Sequence, residues 1–68
     1  MYRFYTHSCR GMASNDMSYF SGVFKGSFVE LVTFLQECAA DDKYYTDFVL
    51  VFQKEISQED FERLDGMF

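Results

Sequence analysis

The chain has 68 residues and a mass of 8.0 kDa, which is enough for one small domain, residues 1–68. It is 49% hydrophobic and 25% charged, a composition that excludes an intrinsically disordered tail. So short a chain disfavours an enzyme with a deep pocket, because the walls and the core would need the same residues. We therefore expect a protein that is not an enzyme.

Aromatic side chains are unusually frequent, at 21% of the residues, with nine Phe and five Tyr. A buried ring hides about 150–250 Å² of surface, and a chain of this length has difficulty covering fourteen of them. We therefore expect some rings to remain at the surface for a partner.

The net charge of −5 is unevenly distributed along the chain. Residues 1–29 hold three basic residues and one acidic residue, whereas residues 30–68 hold three basic and ten acidic residues. This asymmetry predicts a molecule with an acidic side. It argues against direct binding of nucleic acid, whose phosphates the carboxylates would repel.

Two cysteines are too few for a disulfide scaffold. The first residues do not form the apolar run of a secretory signal, and no stretch approaches the ~20 apolar residues of a membrane helix. We expect a soluble, cytoplasmic protein with reduced thiols, no cofactor and no membrane contact.

The first half of the chain predicts an antiparallel hairpin. Residues 2–9 are rich in aromatic and hydroxyl side chains and indicate a strand, residues 11–16 favour a turn, and a second strand follows at about 17–25. Gly22, in the middle of the second strand, indicates a bulge or the close approach of a neighbouring element.

Residues 28–40 predict the main helix. Ser27 followed by Glu30 is a capping box. The apolar residues recur at helical spacing and predict one stripe facing the sheet, with Phe34 at its margin: Phe28, Leu31, Val32, Leu35 and Ala39. Asp41 and Asp42 follow at the C-terminal end, where acids oppose the helix dipole.

Residues 44–56 predict the third strand. Its centre, 48–52, is apolar on both faces, which is typical of a strand covered on both sides or of one that meets another subunit. Ser57 caps a short last helix that ends near Gly66. The predicted fold is α+β, with the order β-β-α-β-α, a three-stranded, mainly antiparallel sheet, one main helix packed on one face and a short C-terminal helix.

Two chemical interpretations of the sequence are weak. His7 and Cys9 point to one face of the first strand, and with Cys38 nearby they would resemble a nucleophile with its base or a metal site, but no CxxC and no second histidine accompany them. Rings on the strands can stack on RNA bases, but no basic groove is present. We expect these rings in the core instead, with tyrosines at a protein interface: Tyr2, Phe4, Phe20 and Phe24.

The acidic half carries the functional hypothesis. Its carboxylates keep an aromatic-rich protein in solution, and they equally suit a basic surface on a partner protein. The predicted partner-binding residues lie around the C-terminal end of the main helix: Phe34, Glu37, Asp41, Asp42, Tyr44, Tyr45 and Asp47. The acids would match the basic surface, and the rings would act as apolar anchors.

In size, acidity and α+β order over the whole chain, the protein resembles the small phage-encoded inhibitors of bacterial defence, such as anti-CRISPR proteins. The resemblance implies a non-enzymatic inhibitor, acting in the host cytoplasm, whose acidic surface blocks a basic nucleic-acid-binding surface of a host protein complex. The alternative is a small structural or regulatory module that forms a homodimer through its sheet. A small enzyme or metal protein using His7 and Cys9 is the third possibility.

Overall fold

A computed structural model describes all 68 residues. It confirms the predicted α+β fold and the order of its elements, which are β1 (Tyr2–Gly11), β2 (Met17–Lys25), α1 (Phe28–Asp41), β3 (Tyr45–Ile56) and α2 (Gln58–Asp65). The sheet order is β2-β1-β3, and β1 is antiparallel to both neighbours. Both β2 and β3 are therefore edge strands.

The β1–β2 hairpin has the regular antiparallel register that its short loop favours. The loop closes with a bond from Gly11 N to Asp16 O of 2.9 Å, and Asn15 adopts a left-handed φ of 63°. The register places Gly22 opposite Tyr5 without a bulge. A Cβ at residue 22 would lie 2.8 Å from Tyr5 Oη, so the glycine provides space for the ring. Of the two predicted reasons for Gly22, close approach is confirmed and the bulge is wrong.

Helix α1 begins with the predicted capping box. Ser27 Oγ accepts a bond from Glu30 N, and Ser27 N donates one to Glu30 Oε1, which lowers the pKa of the Glu30 carboxyl. The buried residues of the helix are Leu31 and Leu35. Phe28 was predicted to join this stripe but is 46% exposed. Phe28 is the first residue of the helix, one turn before the buried Leu31.

Strand β3 contains two irregularities that the sequence did not predict. Val51 has no partner on β1, because Thr6 pairs with Phe52 and His7 with Leu50. A second extra residue lies opposite Cys9, beside a left-handed Asp47 with φ of 56°. The bulge at Val51 reverses the side-chain alternation, so that Leu50 faces α1 whereas Phe52 lies on the other face.

Helix α2 packs on the face of the sheet opposite α1. The Phe61 ring lies 4.9 Å from the Tyr2 ring, and the Phe68 ring lies 6.2 Å from the Phe4 ring. These contacts cover only one end of that face. Of the two alternatives for residues 48–52, cover on both faces within the chain is wrong, since Val49 and Val51 are each 55% exposed, and contact with another subunit stays a prediction.

The core is small, with 7 of 68 residues buried. One of them is Arg3, whose guanidinium donates hydrogen bonds to Gly26 O at 3.2 Å and to Gln53 Oε1 at 2.7 Å. These bonds tie β1 to the turn before α1 and to β3. Neither helix has the length and apolarity that crossing a membrane requires.

Candidate functional site

None of the fourteen aromatic rings is buried, and half of them are exposed. The expectation that some rings remain at the surface is confirmed. The expectation that strand rings form the core is wrong, because one helix on each face of a three-stranded sheet leaves too little cover. Tyr2 and Phe4 also lie on the opposite face from Phe20 and Phe24, so these four rings form no common stacking surface.

A cleft of about 310 Å³ lies between α1 and the sheet. We call it the aromatic cleft. Six of its side chains are rings, and they come from all three strands and from α1. Its lining residues are Tyr5, His7, Cys9, Phe20, Phe34, Leu35, Cys38, Asp42, Tyr45 and Phe48.

The rings of the aromatic cleft contact one another. The His7 and Phe48 rings are stacked, with centroids 4.9 Å apart and an interplanar angle of 11°. The Phe20 ring lies 5.7 Å from His7 on one side, and its edge-to-face contact with Tyr45 measures 5.6 Å on the other. The cleft floor is therefore a connected layer of rings.

Local sequence rules explain how the cleft forms. Tyr5, His7 and Cys9 alternate along β1 and so share the α1 face, and the cross-strand partner of His7 is Phe20. Helix α1 lies mainly over β3, so it leaves the β2 side of this face open. The open region is the cleft mouth, where Phe20 and Phe34 are 45% and 38% exposed.

Asp42 is the only carboxylate that lines the aromatic cleft. It follows the last residue of α1, and its Oδ1 atom accepts hydrogen bonds from Tyr44 N at 2.8 Å and Tyr45 N at 2.9 Å. These two bonds form the turn that leads from α1 into β3. Asp42 therefore has a structural role that the sequence did not predict, besides its place at the cleft.

The two thiols of the aromatic cleft are poor nucleophiles. Burial raises the pKa of Cys9, and Asp42 raises it further; burial also raises the pKa of Cys38, with smaller contributions from Asp41, Glu37 and Asp42. A raised pKa keeps a thiol protonated, whereas the thiolate is the reactive form. His7 and Cys9 do share one face as predicted, but no group of three His, Cys, Asp or Glu residues could hold a metal ion.

The structure brings part of the predicted partner site together. Phe34, Asp42 and Tyr45 line the aromatic cleft, while Glu37 and Asp41 are exposed on the same C-terminal half of α1. These five residues form a continuous surface of rings and carboxylates around the end of the helix.

The other two predicted residues lie apart from this surface. Tyr44, 76% exposed, lines a separate groove of about 230 Å³ with Met12 of the hairpin loop. The carboxylate of Asp47 lies 3.8 Å from Arg10 Nη1. The sequence placed these residues by their proximity in the chain, and the bulge in β3 turns Asp47 towards β1 instead.

The acids of the C-terminal half do not form one acidic side as predicted. Helix α1 carries one group on one face of the sheet, and α2 carries the other on the opposite face, because the two helices pack on different faces. The α1 group comprises Glu30, Glu37 and Asp41, the α2 group comprises Glu59, Asp60, Glu62 and Asp65, and the other three acids, Asp42, Asp47 and Glu55, lie outside the helices. Of these two groups, only Glu37 and Asp41 stand on the half of α1 that lines the aromatic cleft.

No known protein family, no curated protein and no solved structure matches this chain. The candidate site is therefore defined by its own geometry. The sequence analysis missed Tyr5, Phe20 and Phe48 as members of it. Pairing the two hairpin strands by their alternation would have placed Tyr5 and Phe20 together, but the position of Phe48 depends on the bulges of β3.

Proposed function

We propose that this chain is a non-enzymatic binding protein that inhibits a host nucleic-acid-handling complex. The observation that carries the proposal is the surface at the C-terminal end of α1, where exposed acids adjoin a cleft of partly exposed rings. Rings at a protein surface lose contact with water when a partner covers them, and acids around them select a basic partner.

The inhibitor would act in the cytoplasm by occupying a basic surface that otherwise holds nucleic acid. Glu37 and Asp41 are exposed, and neither forms an ion pair within the chain. Carboxylates spaced along a helix present a row of negative charges similar to a phosphate backbone, and they steer association with a basic groove. This is the mode of action that the resemblance to anti-CRISPR proteins implies.

The test combines capture from a host lysate with a competition assay. We expect the tagged chain to capture a protein that the double variant Glu37→Lys/Asp41→Lys loses. The matched control is Glu62→Lys/Asp65→Lys, which reverses two charges on α2, at the opposite face, and should retain the captured protein. Raising the salt from about 0.1 M to about 1 M shortens the screening length from ~10 Å to ~3 Å and should release it.

The captured protein must then bind nucleic acid less tightly when the wild-type chain is added. Undiminished nucleic-acid binding would contradict the inhibitor proposal. Equal capture by the wild-type chain and the α1 double variant would contradict the proposed interface.

A second candidate function, a homodimerising module, is favoured by the sheet face that α2 leaves open. Tyr19 on β2 is 65% exposed there, and Val49 and Phe52 on β3 are 55% and 49% exposed; both strands also have a free edge. We call these three residues the open-face strip. A stable interface buries about 800 Å² per partner, roughly a sixth of the 4820 Å² surface of this chain.

Sedimentation over a range of concentrations tests the homodimer. The variant Val49→Lys should abolish a dimer formed through the open-face strip. The control Val29→Lys introduces the same charge at a 70%-exposed valine of α1 and should leave the dimer intact. A strict monomer at every concentration rejects this candidate.

A further inference from the structure

The aromatic cleft has the composition of a site for an organic cation. The inference that follows rests on the proposed function, because it specifies how the cleft holds the partner protein. We propose that the cleft receives one arginine side chain of the partner protein, with its guanidinium against the ring faces and beside the Asp42 carboxylate. The acids on α1 attract the basic surface as a whole, whereas the cleft holds one side chain of it.

Three sources of negative potential converge on the aromatic cleft. Asp42 lines it directly, and Glu37 and Asp41 stand on the adjoining half of α1. The C-terminal end of α1 adds the negative pole of the helix dipole, and the last turn contains no basic residue to compensate it. A cation in the cleft would offset this negative potential, which no basic residue in the last turn of α1 offsets.

Three further groups of the aromatic cleft, the Tyr5 hydroxyl and the two thiols, keep their protons at neutral pH. Burial raises the pKa of the Tyr5 hydroxyl and of the Cys9 and Cys38 thiols, so none of them adds a full charge at neutral pH. Asp42 is the cleft's one carboxylate, and no lysine or arginine of the chain lines the cleft to neutralise it.

The surroundings of Asp42 favour a guanidinium over an ammonium. Oδ1 is already occupied by the two backbone amides, and no protein donor bonds Oδ2. A lysine ammonium is compact and strongly hydrated, so it would lose water in a cleft that offers it few acceptors. A guanidinium is weakly hydrated and planar, and it can donate to Oδ2 while its flat face stacks on a ring.

The mouth of the aromatic cleft is suited to a side chain with an aliphatic stem and a planar end group. Phe20 and Phe34 border it and are the most exposed of its rings. The methylene stem of an arginine would cover these two rings, while the guanidinium reaches the ring layer around His7. The occupant thus buries apolar surface and pairs a charge in the same place.

The direct test is a titration followed by two-dimensional NMR, using the capped tripeptide Gly-Arg-Gly. Matched tripeptides carry lysine or citrulline, the uncharged analogue of arginine. We expect saturable shifts at Tyr5, Phe20, Phe34 and Asp42, with binding about tenfold weaker for citrulline and weaker for lysine. Equal binding of the citrulline peptide, no saturable shift, or shifts centred on α2 would overturn the proposal.

Two variants localise the effect. Asp42→Asn removes the charge but keeps an Oδ1 acceptor for both backbone amides, so the fold is preserved. It should weaken arginine-peptide binding about fivefold or more, whereas the control Asp65→Asn, on α2, should not. Phe34→Leu should weaken the binding of the arginine and lysine peptides to a similar degree, because it removes the ring that the methylene stem of either residue would cover. Undiminished binding by Asp42→Asn contradicts the assigned role of the carboxylate.

Failure of this proposal is distinguishable from failure of the proposed function. If the arginine peptide does not bind in the cleft but Glu37→Lys/Asp41→Lys still abolishes capture of a target, the cleft proposal is wrong and the inhibitor proposal stands. If the peptide binds as expected but the captured protein keeps its nucleic acid, the inhibitor proposal is wrong and the cation site stands.

Discussion

Replacing Asp42 separates its structural contribution from its charge. The Asp42 Oδ1 atom accepts hydrogen bonds of 2.8 Å and 2.9 Å from the amides of Tyr44 and Tyr45, and Asp42→Ala removes both. The Tyr44 amide is exposed and can bond to water instead, whereas the Tyr45 amide is partly buried. We therefore expect a loss of about 1–2 kcal/mol in the free energy of unfolding, below the roughly 3–6 kcal/mol that two buried bonds to a charged acceptor would contribute, because water can replace the exposed bond.

Asp42→Asn should behave differently from Asp42→Ala, because the asparagine amide oxygen can accept the same two bonds. The two bonds become weaker in this variant, because the acceptor is no longer charged. The substitution also removes a negative charge from the C-terminal end of α1, which stabilises the helix. A charge that opposes the helix dipole costs about 0.3–1 kcal/mol, so the two changes nearly cancel. We expect Asp42→Asn to unfold within about 0.5 kcal/mol of the wild-type chain.

The assay is urea and thermal unfolding followed by circular dichroism, since the chain has no tryptophan. For a chain of this size, 1–2 kcal/mol corresponds to a fall in Tm of about 4–16 °C. Asp41→Ala is the matched control, because the side chain of Asp41 is exposed and accepts no hydrogen bond. A wild-type Tm for Asp42→Ala, or equal losses for the alanine and asparagine variants, would refute the assignment of the turn to the Oδ1 acceptor.

Four further predictions concern the packing of the chain, the reactivity of its thiols and its titration. Gly22→Ala should lower the free energy of unfolding by about 1 kcal/mol or more in urea titrations, because the new Cβ would lie 2.8 Å from Tyr5 Oη; an unchanged midpoint would contradict this close approach. Ser27→Ala removes the cap of α1 and should cost about 1 kcal/mol by the same measurement, so a neutral result would argue against the capping box. Burial raises the pKa of Cys9 and Cys38, so iodoacetamide should alkylate both more slowly in the folded chain than in urea, and Cys38 before the fully buried Cys9. Because the folded state keeps these protons to higher pH, the free energy of unfolding should fall as the pH rises above the ordinary thiol pKa of about 8.5; a flat profile there would contradict the raised values.

The elements and their order could be predicted from the sequence because their signals are local. The Ser27 capping box, the Ser57 cap and the turn after Gly11 each act within a few residues, and all three are present in the structure. Amphipathic spacing likewise identified Leu31 and Leu35 as the buried residues of α1. The composition of the strand segments predicted the three strands of the sheet.

The candidate site could be predicted only in part, because its members come from elements distant in sequence. Acid and ring content around residues 34–45 indicated a binding surface, and Phe34, Asp42 and Tyr45 do line one cleft. Proximity in sequence, however, says nothing about β1, and so Tyr5 was missed as a lining residue. It also grouped Asp47 with the helix end, although Arg10 lies 3.8 Å from it.

Chain composition alone determined that this protein exposes rings, because a chain of this length cannot enclose fourteen of them, whatever its fold. Tertiary structure decided which surface those rings and the acids make. The unpaired Val51 in β3 turns Phe52 away from α1, and the packing of α2 on the opposite face divides the acids into two groups. Both results depend on strand register and helix placement, which are set by contacts between distant residues and leave no local pattern in the sequence.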